Sequence, residues 1–105
     1  MAGRSRQKQS AHDKGVERVA RRHDNDGWNV RADVSGWPTP DTIAGRRPDV
    51  LATKTGSRRI IEVETDSTDD HRQHEKFRRH AGQKANTVFI GLIVDTRGRR
   101  IGTFR

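Results

Sequence analysis

The amino-acid sequence predicts an α/β domain in which one mixed β-sheet is flanked by helices, in the order αβββαβ with room for an extra C-terminal strand. Three observations carry that expectation. A stretch of helical periodicity comes first, two strand-like runs then meet at a Thr-Gly turn, and a second helix-like segment leads into an apolar run at 87–94.

The elements follow in order. Asp13 to His23 places Val16, Val19, Ala20 and His23 at helical spacing, with Arg18, Arg21 and Arg22 off that stripe. Asn25, Asp26 and Gly27 make a turn. Trp28, Val30, Ala32 and Val34 then alternate with Asn29, Arg31 and Asp33, as a strand with one buried face requires. Residues 35–47 carry Gly36, Pro38, Pro40 and Gly45 and form a long loop, a kind of segment that often carries function. Asp49 to Thr53 is the next strand, with Pro48 confined to its first position or to a sheet edge. Thr55-Gly56 supplies a hairpin turn, and Arg59 to Glu64 returns. A second helix runs from Asp66 to Ala81, with Ser67 and Asp70 as a capping pair and a thin stripe of His74, Phe77 and Ala81. Thr87 to Val94 reads as a central strand buried on both faces. Arg97-Gly98 turns the chain toward a short strand at Ile101 to Phe104.

A chain of 105 residues makes one domain. Residues 1–11, with Arg4, Arg6 and Lys8 and little that is apolar, read as a disordered basic arm, leaving 12–105 as the folded unit. Only 29% of the chain is hydrophobic, so the core is thin, and a homodimer is one way to complete it. The formal net charge is +8, from 22 Lys and Arg against 14 Asp and Glu, and 17 of the 22 are Arg. An excess of guanidinium forks points to a polyanionic partner, nucleic acid and most simply DNA, although a genome rich in Arg codons would leave the same mark. The absence of cysteine excludes disulfides and cysteine zinc sites. No apolar stretch approaches the roughly 20 residues of a membrane span and no signal-peptide core follows Met1, so a soluble, intracellular (cytoplasmic) protein is expected, with no membrane partner.

Centred on Thr55-Gly56, the hairpin sets Lys54 opposite Ser57, Thr53 opposite Arg58, Leu51 opposite Ile60 and Asp49 opposite Glu62. Opposed residues share a face, with Cβ atoms roughly 4.5–5.5 Å apart. Glu64, two positions on, joins that face. Three carboxylates therefore gather at one end of one sheet face. Opposed like charges are destabilising, and a hard divalent cation resolves the repulsion. The alternative is an exposed strand face whose carboxylates pair with Arg47 or Arg58, and a register slip of one residue disperses the cluster.

Pro48-Asp49, the hairpin, and then Glu62-Val63-Glu64 after the apolar pair Ile60-Ile61 resemble the PD-(D/E)XK motif. The superfamily of that motif includes restriction endonucleases, archaeal Holliday junction resolvases and repair nucleases. The likeness spans Asp13 to Val94 and implies a restriction-endonuclease-like core that hydrolyses DNA phosphodiester bonds with Mg²⁺ or Mn²⁺. It implies Asp49, Glu62 and Glu64 as the catalytic acids, and Asp49, Glu62 and the Val63 carbonyl as metal ligands. Glu17 matches an acid that many members place near the metal from the first helix, and reads equally as a surface partner of Arg21 at i+4. Where the family usually has Lys, this chain has Glu64. Glu64 would serve as general base or further ligand, or mark a catalytically degenerate member that keeps the fold and binds nucleic acid. Lys54, roughly 16 Å along the strand, and Lys76, about ten residues into the second helix region, are too far to substitute.

The remaining motifs are weaker. Arg46, Arg47, Arg18, Arg22 and Lys84 are the expected phosphate contacts, with Arg47 opposite Glu64 by register. Without a base-reading motif, structure-directed or non-specific binding is expected. His71 and His74 lack the His-Glu-x-x-His order and read as a solvated helix face. Trp37 either stacks on a base or fills the core, and Trp28 reads as core.

Overall fold

Seven elements follow one another in the computed structural model, which describes residues 6–65 and 71–104. They are α1 (Arg6–Asn25), β1 (Asn29–Ala32), β2 (Val50–Lys54), β3 (Ser57–Glu64), α2 (His71–Gln83), β4 (Thr87–Val94) and β5 (Arg100–Phe104). The strands form one mixed sheet in the order β1-β2-β3-β4-β5, antiparallel except for the parallel pair β3 and β4. A parallel pair needs a long crossover, and α2 lies within it.

The hairpin holds the predicted register. Lys54 pairs with Ser57, Thr53 with Arg58, Leu51 with Ile60 and Val50 with Ile61. Gly56 takes φ +76°, the left-handed conformation the tight turn demands. With the register set, the period of two assigns every β3 side chain to a face. Ile61 and Val63 pack toward α1 with Val16, Ala20, Val30, Ala32, Val50, Leu92 and Val94. Ile60 packs toward α2 with Leu51, Ile43 and Phe77. Glu62 and Glu64 are in phase with Ile60 and belong to the α2 face.

Helix α1 begins at Arg6, so residues 6–11, expected in a disordered arm, extend the helix instead. Ala11 and His12 are buried and continue the stripe of Val16, Ala20 and His23 by one further turn. The stripe was hard to see because Gly15 and His12 stand in it, and neither scores as apolar. At Gly15 a Cβ would lie 3.0–3.1 Å from methyls of Val63 and Val94, so the helix axis sits close to the sheet. Gly98, at φ +78° in the turn before β5, packs directly against the α1 backbone at Lys14 and Gly15.

The long loop is pinned on both sides of the sheet. Trp37 Nε1–H donates to Glu17, while Ile43 is buried beside Leu51 in the α2-side core. Trp37 is half-buried against the α1-side core. The strand at 87–94, predicted to be central and buried on both faces, lies between β3 and the edge strand β5; only its second half is buried, and Val88 is 53% exposed. Helix α2 extends to Gln83, and the capping pair expected at Ser67 and Asp70 lies outside the described residues. The Cα radius of gyration, 12.9 Å, matches the ~13 Å of a compact 100-residue domain. Among the described residues, no helix is long and apolar enough to cross a membrane.

Candidate metal centre

The sheet brings Asp49, Glu62 and Glu64 together at one end of its α2 face. Strand β2 starts at Val50 and β3 runs on to Glu64, so β3 overhangs its neighbour by three residues. Asp49, just before β2, fills that overhang. Its Oδ2 accepts from the Val63 N–H at 2.8 Å, and its own N–H donates to Glu62 Oε2 at 2.8 Å. The side chain of each acid thus caps a backbone amide on the other strand. In an extended strand the N–H and C=O of one residue project to the same edge, so the Val63 carbonyl looks toward Asp49 as well.

Glu62 is 3% exposed. Its pKa is raised from 4.5 to about 9, chiefly because burial strips water from the carboxylate, and further by the charge of Asp49 and then Glu64. The hydrogen bonds from the Asp49 N–H and the Gln73 amide work against that rise without cancelling it. A carboxylate in this setting holds a proton at neutral pH or gives it up to a cation. The donor set of Asp49, Glu62 and the Val63 carbonyl consists of hard oxygens, which suits Mg²⁺ or Mn²⁺. Among the described residues, no group of three or more His, Cys, Asp or Glu side chains is placed to hold a metal ion by itself.

Three residues at the centre were not assigned from sequence, and all come from helices. His12 of α1 places Nε2 3.2 Å from Asp49 Oδ1 and Nδ1 3.1 Å from Asp13 Oδ1. Gln73 of α2 donates to Glu62 Oε1 at 2.7 Å. His74, expected on a solvated helix face, is fully buried, with Nε2 3.5 Å from Glu64 Oε2 and 3.7 Å from Glu62 Oε1. Its ring packs 4.5 Å from Phe104 and 6.1 Å from Phe89. The one sequence signal for His74 was its place at i−3 from Phe77 on the apolar stripe.

Other expected residues stand elsewhere. Glu17 is about 7.5 Å farther along α1 than His12 and roughly 140° around it. Its carboxylate is bound by Trp37 and Arg21, and the Trp37 hydrogen bond is the leading cause of its lowered pKa. Arg47 does not extend the ladder to Glu64, because its Nε–H donates to the Pro40 carbonyl. Arg46 is exposed in the short bridge with Ile43. Lys84 lies three residues before β4, whose first residue pairs with Arg58, so it marks the opposite end of the sheet. There it joins Arg58 in lowering the pKa of His80, an effect led by burial. Lys54 donates to the Asp26 carbonyl and lies over Trp28, also away from the acids. Arg18 and Arg22 lie on α1 over the other face of the sheet.

Compared with models of known protein families and with curated proteins, the chain matches none.

Proposed function

We propose that the protein is a metal-dependent nuclease of PD-(D/E)XK type that hydrolyses DNA phosphodiester bonds without reading a defined sequence. The observation that carries this reading is the interlock of Asp49 and Glu62. A buried acid with a pKa near 9 is held against a second acid by two hydrogen bonds through the main chain. Such a pairing costs stability unless it serves a cation. The order of elements and the parallel β3–β4 pair are consistent with a restriction-endonuclease-like core.

A divalent ion held by Asp49, Glu62 and the Val63 carbonyl would supply water activation and charge neutralisation on the scissile phosphate. The chain's own residues then have separable tasks. His12 and Gln73 orient Asp49 and Glu62. Glu64, with His74 beside it, is the base that takes the proton of the attacking water, standing where the family's Lys would be. The Arg surface, with a net charge of +8, attracts the phosphate backbone.

The test is a panel of supercoiled plasmid, single-stranded, flapped and four-way-junction DNA with Mg²⁺, Mn²⁺ or EDTA, run beside Asp49→Ala protein. Metal-dependent cutting that disappears in the variant supports the enzyme. Salt-sensitive binding without cutting on any substrate would instead make the protein a catalytically degenerate binding module, with Glu64 as the residue responsible.

A further inference from the structure

The α1 face of the sheet holds a second feature, separate from the acidic centre. Helix α1 packs on β1 to β3 and on the Val94 end of β4, and leaves a groove of about 210 Å³ beside it over the rest of β4, toward Arg100 of β5. Ile90 and Leu92 form its floor, and Arg18 and Arg22 of α1, Arg59 of β3 and Arg100 of β5 surround it. No carboxylate lines it. Among the described residues, Arg18, Arg22 and Arg100 have no ion-pair partner. Arg59 is held in place, with its guanidinium 4.3 Å from the Trp28 ring centre and Nη1 3.1 Å from His23 Nε2.

Four guanidinium groups around one groove repel each other unless an anion lies between them. The chain's net charge of +8 argues against a second copy as the occupant. The volume is below the roughly 300–1,000 Å³ of a small-molecule pocket, so it fits one unit of a polymer. An apolar floor under a cationic rim suits a base laid flat with its phosphates on the arginines. A duplex keeps its bases stacked inside and would meet only the rim. Arg18 and Arg22 are one helical turn apart, about 6 Å along the axis, a spacing suited to consecutive phosphates on one strand.

We propose that this groove binds a single-stranded segment of nucleic acid, with one base on Ile90 and Leu92 and the flanking phosphates on Arg18, Arg22 and Arg100. The assignment rests on the nucleic-acid reading above for the kind of polyanion, and not on the acidic centre.

The experiment is fluorescence anisotropy of a labelled oligothymidylate with the full chain in EDTA. Wild type is compared with Arg22→Gln/Arg100→Gln, with Ile90→Glu, and with Lys76→Gln/Arg79→Gln on α2 as a control, each checked for folding by circular dichroism. The groove double variant is expected to lose about tenfold or more in affinity near 0.15 M salt. Its log–log salt slope should be shallower by roughly 1.4, from two phosphate contacts at about 0.7 each. Ile90→Glu should weaken binding comparably, the control should stay within about twofold of wild type, and duplex of equal length should compete poorly. Wild-type affinity in both groove variants, equal affinity for duplex, or a self-association abolished by the double variant overturns the assignment. Because the assay runs in EDTA, it reads binding without metal and without cleavage. Binding under those conditions separates the groove from the nuclease reading, so absence of cleavage does not decide this question.

Discussion

The backbone N–H of Asp49 donates to Glu62 Oε2 at 2.8 Å, so these two acids are tied through the main chain as well as opposed across the hairpin. With the reciprocal bond from the Val63 N–H to Asp49, the strand ends cannot separate to relieve the repulsion between carboxylates. Burial, and then that repulsion, favour a proton on Glu62 instead.

Stability of the metal-free protein should therefore fall as pH rises. Below the ordinary carboxylate value of 4.5, both folded and unfolded states hold the Glu62 proton and the contribution is complete. Between 4.5 and about 9 the unfolded chain has released it and the folded state has not. The unfolded state then binds fewer protons, and folding weakens by up to roughly tenfold in its equilibrium constant per pH unit. Above pH 9 the loss levels off. Urea titrations in EDTA from pH 5 to 9 measure this, and Glu62→Gln should flatten the profile. A wild-type profile as flat as the variant's would show that Glu62 titrates normally.

A divalent cation should reverse that loss. Binding replaces the proton on Glu62, so the rise in Tm with Mg²⁺ or Mn²⁺ should be larger at pH 8 than at pH 5. Differential scanning fluorimetry across a metal titration reads the effect. Equal shifts at both pH values, or shifts retained in Asp49→Ala, would place the ion somewhere else.

His12→Ala should weaken the metal without unfolding the protein. His12 sets the orientation of Asp49 from α1, and loss of such an orienting partner typically costs 10- to 100-fold in metal affinity. Isothermal titration with Mn²⁺ checks it. An unchanged affinity would reduce His12 to a helix-packing residue.

Gly98→Ala and Gly15→Ala should differ sharply. A Cβ on Gly98 would meet the Lys14 Cβ at 2.6 Å and the Gly15 backbone N at 2.7 Å, at a positive φ that Ala rarely adopts. The backbone cannot yield cheaply, so a loss of about 2–4 kcal/mol is expected, with Tm lower by roughly 10 °C or more. At Gly15 the contacts are side-chain methyls at 3.0–3.1 Å, which can give, and Ala gains about 1 kcal/mol of helix propensity. That variant should lie within about 1 kcal/mol of wild type by thermal denaturation.

Much of the architecture could be read from local pattern. Strand alternation in 29–32 and the Thr55-Gly56 turn are short-range properties, and the hairpin register follows from that turn. The helices were less legible. Helix α1 started at Arg6 rather than Asp13, because its buried stripe runs through His12 and Gly15, whose place depends on how closely the helix approaches the sheet. Arg47 was misplaced by extending the ladder beyond Val50, where the loop to Pro40 takes over.

By itself the sequence determined the sheet-forming pattern and the meeting of Asp49, Glu62 and Glu64, since period-two alternation and one tight turn relate residues only 15 positions apart or fewer. Tertiary structure alone decided which helical side chains attend those acids. His12 and His74 reach them while Glu17 and Lys84 do not, because the rotation and height of each helix on the sheet are set by packing of Val16, Ala20 and Phe77 far away in the chain. The groove beside β4 has the same origin: four arginines from three elements become neighbours only where α1 stops short of covering the sheet.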